Sequence, residues 1–151
     1  MTPYVAVVGP GEATAEQLAQ ARAVGAGLAN TGAVVITGGL GGVMAAACQG
    51  AAEAGGVTVG ILPGADRAAA NRWVGIAIAT GLGELRNGLI VRAADSLIAI
   101  GGAYGTLSEV ALALKTDVPV VGMGTWELEG ITPAAEADEA VALACRLPRL
   151  D

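Results

Sequence analysis

Residues 96–115, SLIAIGGAYGTLSEVALALK, decide the fold class of this chain. A short apolar run, Ser96–Ile100, is followed by a glycine-rich turn and then by a segment with helical character, 107–115. Strand, glycine turn and helix form the repeating unit of parallel sheets that carry helices on both faces. At the junction, Thr106 and Glu109 have the T-x-x-E spacing of a helix capping box, so Glu109 is either a cap or a reactive group.

The same unit recurs along the chain. Nearly continuous apolar runs are typical of strands buried on both faces, and they predict strands at Tyr4–Val8, Val34–Thr37, 57–62, Ile76–Ala79, Ser96–Ile100 and 119–123. Alanine- and leucine-rich segments predict helices at 14–30, 43–54, 85–94 and 107–115. Thr132 and Pro133 are expected to open a last helix that runs to about Leu147. The alternation predicts one Rossmann-like, doubly wound α/β domain over residues 1–151, with a mainly parallel sheet.

The composition predicts an oligomer. Hydrophobic residues make up 54% of the chain and charged residues 15%, so the surface itself must be partly apolar. Large apolar patches on proteins in solution usually mark interfaces. The predicted helix 107–115 carries an apolar stripe made of Leu107, Val110, Ala111 and Leu114 and widened by Leu112 and Ala113. We expect a homodimer or a homotetramer.

Charge and residue types exclude several function classes. The net charge is −6 and the chain has no basic stripe, which argues against nucleic-acid binding. It has no histidine, and its two cysteines lie far apart, so we expect no metal site built by the protein. Cys48 and Cys145 are expected to be small buried thiols, with a nucleophile as the alternative. The start MTPYVAVVG does not resemble a signal peptide and no run is long enough to span a bilayer, so we expect a cytoplasmic protein without membrane contact.

Glycine-rich turns follow four of the predicted strands: GPGEAT, GGLGGVM, TGLGELRN and GGAYGT. In an open parallel sheet these turns meet at the carboxyl ends of the strands, where backbone amides at helix N-termini bind anions such as phosphate. The alternative is that each glycine only permits a tight turn or a close approach. Neither the dinucleotide fingerprint nor the P-loop pattern is present. Segment 63–73, PGADRAAANRW, is expected to be a mobile loop or a short helix near the same edge.

With GGLGGVM, ELRN and GGAYGTLSE in this order, the chain resembles the superfamily of Lonely Guy cytokinin-nucleotide phosphoribohydrolases, also called possible lysine decarboxylases. That family carries G-G-G-x-x-G-L-M-G, then R-K, then P-G-G-x-G-T-x-x-E. The matching residues are Gly38, Gly39, Gly42, Met44, Arg86, Gly102, Gly105, Thr106 and Glu109. The departures are Thr37, Ala45, Asn87, Gly101 and Ala103. These departures are similar to the branch that contains molybdenum-cofactor carrier proteins, whose members bind a phosphorylated pterin in the glycine basin.

The resemblance implies a phosphorylated small molecule as ligand, either molybdenum cofactor or a nucleotide, with no cofactor ligated by the protein. The implied binding residues are Gly9, Gly11, Gly38, Gly39, Gly41, Gly42, Met44, Asn87, Gly101, Gly102, Ala103, Tyr104, Gly105 and Thr106.

Two functions follow from the resemblance. The first is a binding or carrier protein, which the departures at Asn87 and in GGAYGT favour. The second is a hydrolase that releases a base from a nucleoside 5′-monophosphate. In that case Glu109 would stabilise an oxocarbenium-like transition state and activate water, while Arg86 would orient the phosphate or ribose. The alternative for Arg86 is a salt bridge to Glu84 or another surface carboxylate. Because Glu109 would repel a phosphate, we expect it to contact a neutral sugar or heterocycle.

Overall fold

The computed structural model describes residues 1–146, which form one seven-stranded parallel sheet between two layers of helices. The strands are β1 (Tyr4–Val8), β2 (Val34–Thr37), β3 (Thr58–Leu62), β4 (Ile76–Ala79), β5 (Ser96–Ile100), β6 (Val120–Met123) and β7 (Ile131–Pro133). The helices are α1 (Ala15–Asn30), α2 (Val43–Glu53), α3 (Arg86–Ala93), α4 (Tyr104–Lys115) and α5 (Ala137–Arg146). The strand order is β4-β3-β2-β1-β5-β6-β7, and every neighbouring pair is parallel. The predicted doubly wound fold is confirmed, and the six predicted strands lie within one residue of their predicted bounds.

Both faces of the sheet are buried, which explains why the strands are continuously apolar. On one face, Val5 and Val7 pack in a core with residues of α1, α2 and α5. On the other face, Ala6 and Val8 pack in a core with residues of α3 and α4. Successive strand side chains point to opposite faces, so each strand needs an apolar residue at nearly every position.

The predicted start of the last helix is wrong. Thr132 and Pro133 belong to β7 at the edge of the sheet, and α5 begins only at Ala137. Proline lacks an N–H group, and an edge strand tolerates this loss because one of its sides has no partner strand. Acidic residues in the first turn, Asp138 and Glu139, favour a helix start at the observed place. Leu147, the predicted end, lies outside the described residues.

The apolar stripe predicted on α4 is observed only in part. The helix begins at Tyr104, and its buried residues are Thr106, Glu109, Val110 and Ala113, while Ala111 is exposed. Val110 and Ala113 pack against the sheet, and one turn earlier the same face of the helix carries Thr106 and Glu109. Thr106 and Glu109, polar residues that a surface helix would expose to solvent, are therefore buried here.

The two cysteines differ. Cys48 is buried, as predicted, with its Sγ 3.3 Å from Thr37 Oγ1. The prediction of a buried thiol is wrong for Cys145, which is exposed in the last turn of α5 because the buried face of that helix is made by Ala140, Val141 and Ala144.

Segment 63–73, predicted to be a loop or a short helix near the carboxyl edge of the sheet, contains one turn of 3₁₀ helix, Arg67–Ala69. Asn71 fixes it there, because its backbone N–H donates to Gly39 O at 2.8 Å and its Nδ2 donates to Leu40 O at 2.9 Å. No helix among residues 1–146 combines the length and apolar character needed to cross a bilayer.

Candidate functional site

All strands are parallel, so their carboxyl ends meet at one edge of the sheet. At that edge the turns after β1 and β2 and the starts of α3 and α4 surround a cavity of about 260 Å³. The cavity is lined by Val7, Val8, Gly9, Pro10, Gly11, Gly38, Met44, Arg86, Asn87, Ile90, Ala103, Gly105, Thr106 and Glu109. The structure therefore brings together both candidate catalytic residues and eight of the candidate ligand-binding residues.

Six candidate ligand-binding residues do not line this cavity: Gly39, Gly41, Gly42, Gly101, Gly102 and Tyr104. For two of these positions, Gly42 and Gly102, local geometry explains why glycine is required. Gly42 has φ +64°, and a side chain there would collide with the carbonyl groups of Pro10 and Gly11. A Cβ at Gly102 would lie only 2.8 Å from Trp126 Nε1. For these glycines the structure supports the alternative of a tight turn or a close approach.

The capping box predicted at Thr106 and Glu109 does not form. The N-cap of α4 is Ala103, which makes no side-chain cap, so both residues lie inside the helix. Thr106 is 2% exposed, and its Oγ1 has no hydrogen-bond partner among residues 1–146. The T-x-x-E spacing predicts a helix start three residues too late, because the glycine turn ends earlier than a capping threonine would require.

Arg86, at the start of α3, lies in the wall of the cavity and is 9% exposed. Its Nε donates to Ile61 O at 2.9 Å, and its Nη2 donates to Gly38 O at 3.4 Å. Within the described part of the chain it forms no salt bridge with Glu84 or any other carboxylate. The surface salt bridge considered for this residue is therefore wrong, and the guanidinium is held in the cavity by backbone carbonyls.

Asn87 connects α3 to α4. Its Oδ1 accepts a hydrogen bond from Arg86 Nη1, and its Nδ2 donates to Ser108 Oγ at 3.3 Å. The Ser108 hydroxyl in turn donates to Gly105 O at 2.7 Å. A lysine at position 87, usual in the hydrolase pattern, has no acceptor atom and could not receive the Arg86 donor.

Glu109 is the buried carboxyl group of the site. It is 8% exposed and makes no side-chain hydrogen bond within residues 1–146. Burial raises the pKa of Glu109 from its ordinary value of 4.5 to about 8, against a smaller opposite effect of the Arg86 charge. Burial likewise lowers the pKa of Arg86, with the Glu109 charge acting in the other direction. Desolvation thus outweighs attraction, and near neutral pH much of the Glu109 carboxyl carries a proton.

Trp126 packs against the turn that precedes α4. Its Nε1 donates to Ala103 O at 3.4 Å, and its ring stacks with that of Tyr104 at a centroid distance of 6.3 Å. Tyr104 is 84% exposed. No motif marks Trp126, but it follows β6 at the carboxyl edge, so the rule that placed the glycine turns also places it near the site.

Four lining residues carry no sequence signal of a site, because they belong to strand ends, a turn and a helix face: Val7, Val8, Pro10 and Ile90. They add apolar surface to the lining of the cavity. Within residues 1–146, no group of three or more histidine, cysteine, aspartate or glutamate side chains is arranged to hold a metal ion.

The chain is similar along nearly its whole length to proteins with solved structures. The molybdenum cofactor binding protein from Rippkaea orientalis is 40% identical, with 95% of each chain covered and a TM-score of 0.90. The molybdenum cofactor carrier protein from Chlamydomonas reinhardtii is 36% identical, with 97% of this chain and 98% of that chain covered and a TM-score of 0.87. An uncharacterized protein of Archaeoglobus fulgidus is 42% identical over 138 residues, which cover 91% of each chain.

These similarities confirm the branch of the superfamily that the departures at Asn87 and Ala103 indicate. The model of the SLOG cluster4 family matches residues 2–147, which is nearly the complete sequence. The chain therefore belongs to the SLOG cluster4 family.

Proposed function

We propose that this chain is a binding or carrier protein for a phosphorylated pterin, and that this ligand is the molybdenum cofactor. The proposal is supported by similarity over the whole chain to a molybdenum cofactor binding protein and a molybdenum cofactor carrier protein. The observation that carries it is the cavity at the N-terminus of α4, which combines free helix amides, a buried arginine and a buried carboxyl group.

The phosphate of such a ligand fits at the N-terminus of α4. The backbone N–H groups of Tyr104, Gly105 and Thr106 donate no hydrogen bond to any residue of 1–146. Unpaired amides at the positive end of a helix dipole bind anions. Arg86 is the one cation among the residues that line the cavity, and it lies close enough to Glu109 to perturb its ionisation. The amides would hold the anionic end, which leaves Arg86 and Glu109 for the rest of the ligand.

The hydrolase alternative receives no support from the relatives described above. Without ligand the pKa of Glu109 is about 8, so a hydrolase role as a carboxylate would require substrate binding to ionise it near pH 7.

Reconstitution under anaerobic conditions tests this function. The protein is incubated with purified molybdenum cofactor and separated by gel filtration, and molybdenum and pterin are measured in the protein fraction. We expect co-elution with the wild type and with Arg92→Met, which removes an exposed arginine of the same helix. We expect loss with Arg86→Met. Failure of the wild type to retain cofactor, or release of free base from adenosine monophosphate that Glu109→Gln abolishes, would reject the carrier function.

We also propose that the protein is a homo-oligomer. Ile76 and Ile78 on the edge strand β4 are 50% and 46% exposed, and Leu85 and Leu89 lie exposed at α3. An exposed apolar edge strand pairs readily with another chain. We expect light scattering to give at least a dimer for the wild type and a lower mass for Ile78→Lys. A monomeric wild type at micromolar concentration would refute the proposal.

A further inference from the structure

Two polar side chains of α4 line the cavity and make no hydrogen bond within residues 1–146. Thr106 Oγ1 is fully buried, and Glu109, one turn further along the same face, is 8% exposed. A buried polar group without a partner costs free energy, and the cost is larger when the group is charged. A native protein tolerates such groups where a ligand supplies the missing partners.

When it is ionised, the Glu109 carboxylate needs hydrogen-bond donors as partners. An ionised carboxylate is an acceptor with two oxygens, so it pairs best with two N–H or O–H groups that lie side by side. Phosphate and carbonyl oxygens cannot serve, because they only accept. Among the parts of a phosphorylated pterin, the ring amide N–H and the adjacent 2-amino group have this arrangement.

Arg86 can pair with the ring carbonyl oxygen, which lies on the same edge of the ring as the amide N–H. The guanidinium uses three acceptors, Ile61 O, Gly38 O and Asn87 Oδ1, and still has N–H groups left for a ligand. A 2-amino-4-oxo ring presents its carbonyl oxygen next to the amide N–H, so a cation beside the carboxylate matches the order of groups on the ring.

We infer that the Glu109 carboxylate binds the amide and 2-amino edge of the pterin ring, with Arg86 and Thr106 beside it, so that the cavity selects 2-amino-4-oxo heterocycles. This inference rests on the proposed carrier function and adds the group by which the ring is recognised. It also explains why a buried carboxyl group is tolerated inside a site for a phosphorylated ligand.

Proton release gives this recognition a signature that a structural residue would not have. Without ligand the pKa of Glu109 is about 8, so at pH 7 the carboxyl group is largely protonated. Two N–H donors stabilise the charged form and lower the pKa, so binding at pH 7 expels a proton. Calorimetry in two buffers of different ionisation enthalpy measures that proton.

A matched pair of probes tests the inference: 6-hydroxymethylpterin phosphate, and the lumazine analogue that has an oxo group in place of the 2-amino group. We expect the wild type to bind the pterin ester at least about tenfold more tightly, or ~1.4 kcal/mol, and to release a proton. Glu109→Gln should lose both the preference and the proton release, and Thr106→Val should lose part of the preference. Glu84→Gln, which changes an exposed carboxylate before the same α3 helix, should behave as the wild type.

The outcomes separate the two proposals. Equal binding of both esters, with inorganic phosphate competing, would leave the carrier function standing and reject the recognition by Glu109. A preference that persists in Glu109→Gln would reject it as well. Failure of both esters to bind, while purified molybdenum cofactor is retained, would also reject the inference alone. Failure of the esters and of the cofactor would reject both.

Discussion

Two glycine-rich turns at the same edge of the sheet look alike in sequence and serve different purposes. In the β2 turn, residues 38–42, the first amide of α2 is bonded, because Val43 N–H donates to Pro10 O at 3.1 Å, while the amides of Met44 and Ala45 have no acceptor among residues 1–146. After the β5 turn, residues 101–103, the first three amides of α4 have no acceptor among residues 1–146, and two of these residues, Gly105 and Thr106, line the cavity. Gly39 and Gly42 mainly permit positive φ angles, whereas the turn before α4 leads into the buried pair Thr106 and Glu109. A pair of glycines therefore does not define a phosphate site. The start of α4 differs from that of α2 in having three unpaired amides instead of two among residues 1–146, next to the cavity-lining pair Thr106 and Glu109.

The largest expected effect comes from placing a carboxylate in each turn region. Gly105→Asp adds a negative charge at the N-terminus of α4, and Gly41→Asp adds one in the β2 turn; a Cβ meets no atom within 4 Å at either position. We expect Gly105→Asp to weaken binding of the pterin phosphate ester by about 100-fold or more, ~2.7 kcal/mol, because like charges would meet at the anion site. Binding by Gly41→Asp should stay within about threefold of the wild type. Isothermal titration measures both; equal losses would remove the distinction between the turns.

Both substitutions should leave the fold intact. An acidic residue in the first turn of a helix is favourable toward the helix dipole, so Gly105→Asp should not lower the melting temperature. A large loss of stability in either variant would mean that the turn is built more tightly than its open Cβ space indicates.

A smaller effect is expected on stability and concerns the buried carboxyl group of α4. Glu109 has a pKa near 4.5 when unfolded and about 8 when folded, so between these values the folded chain binds more protons than the unfolded chain. Its contribution to the free energy of unfolding therefore falls as pH rises through this window. We expect Glu109→Gln without ligand to be more stable than the wild type by about 1–3 kcal/mol at about pH 8, and nearly equal to it at about pH 4.5.

Urea unfolding at both pH values checks this expectation, with Glu84→Gln as the control for an exposed carboxylate. A Glu109→Gln variant that is less stable at the higher pH would mean that the carboxylate is satisfied inside the protein, against the contrast between the two turns.

The smallest expected effect concerns the support behind the β5 turn. Trp126→Phe keeps an aromatic side chain behind the turn and removes the pyrrole ring next to Gly102, with the N–H that donates to Ala103 O at 3.4 Å. We expect binding of the pterin ester to weaken by about threefold, since a long neutral hydrogen bond contributes little. Trp73→Phe, at the other tryptophan, should leave the affinity unchanged. Equal effects of the two substitutions would show that the turn does not depend on Trp126.

The sheet was predictable because its strands are buried on both faces, which leaves an apolar run at each strand and a glycine turn after it. The structure at positions that depend on a neighbour distant in sequence was not predictable. Thr132 and Pro133 read locally as a helix start, and only their place at the sheet edge makes them a strand. Likewise Gly102 and Gly105 are equivalent in the motif, but Trp126 packs against the first and the cavity adjoins the second.

For Thr106 and Glu109 the local pattern is that of a cap, and the structure rejects it because α4 begins three residues earlier than predicted. A one-dimensional spacing cannot distinguish a carboxylate that bonds to its own helix start from one that faces a cavity. Burial of both residues, and the lack of a partner for Thr106 Oγ1, become visible only after the helix is packed on the sheet.

The most direct test is the mass of the ligand that the protein carries in cells able to make molybdenum cofactor. Native mass spectrometry of gently purified wild type and Gly41→Asp should show a bound mass that fragments to a phosphorylated pterin, and Gly105→Asp should show the chain without it. A wild type that carries no pterin, or a Gly105→Asp variant that carries as much as the wild type, would contradict a phosphorylated pterin bound at the N-terminus of α4.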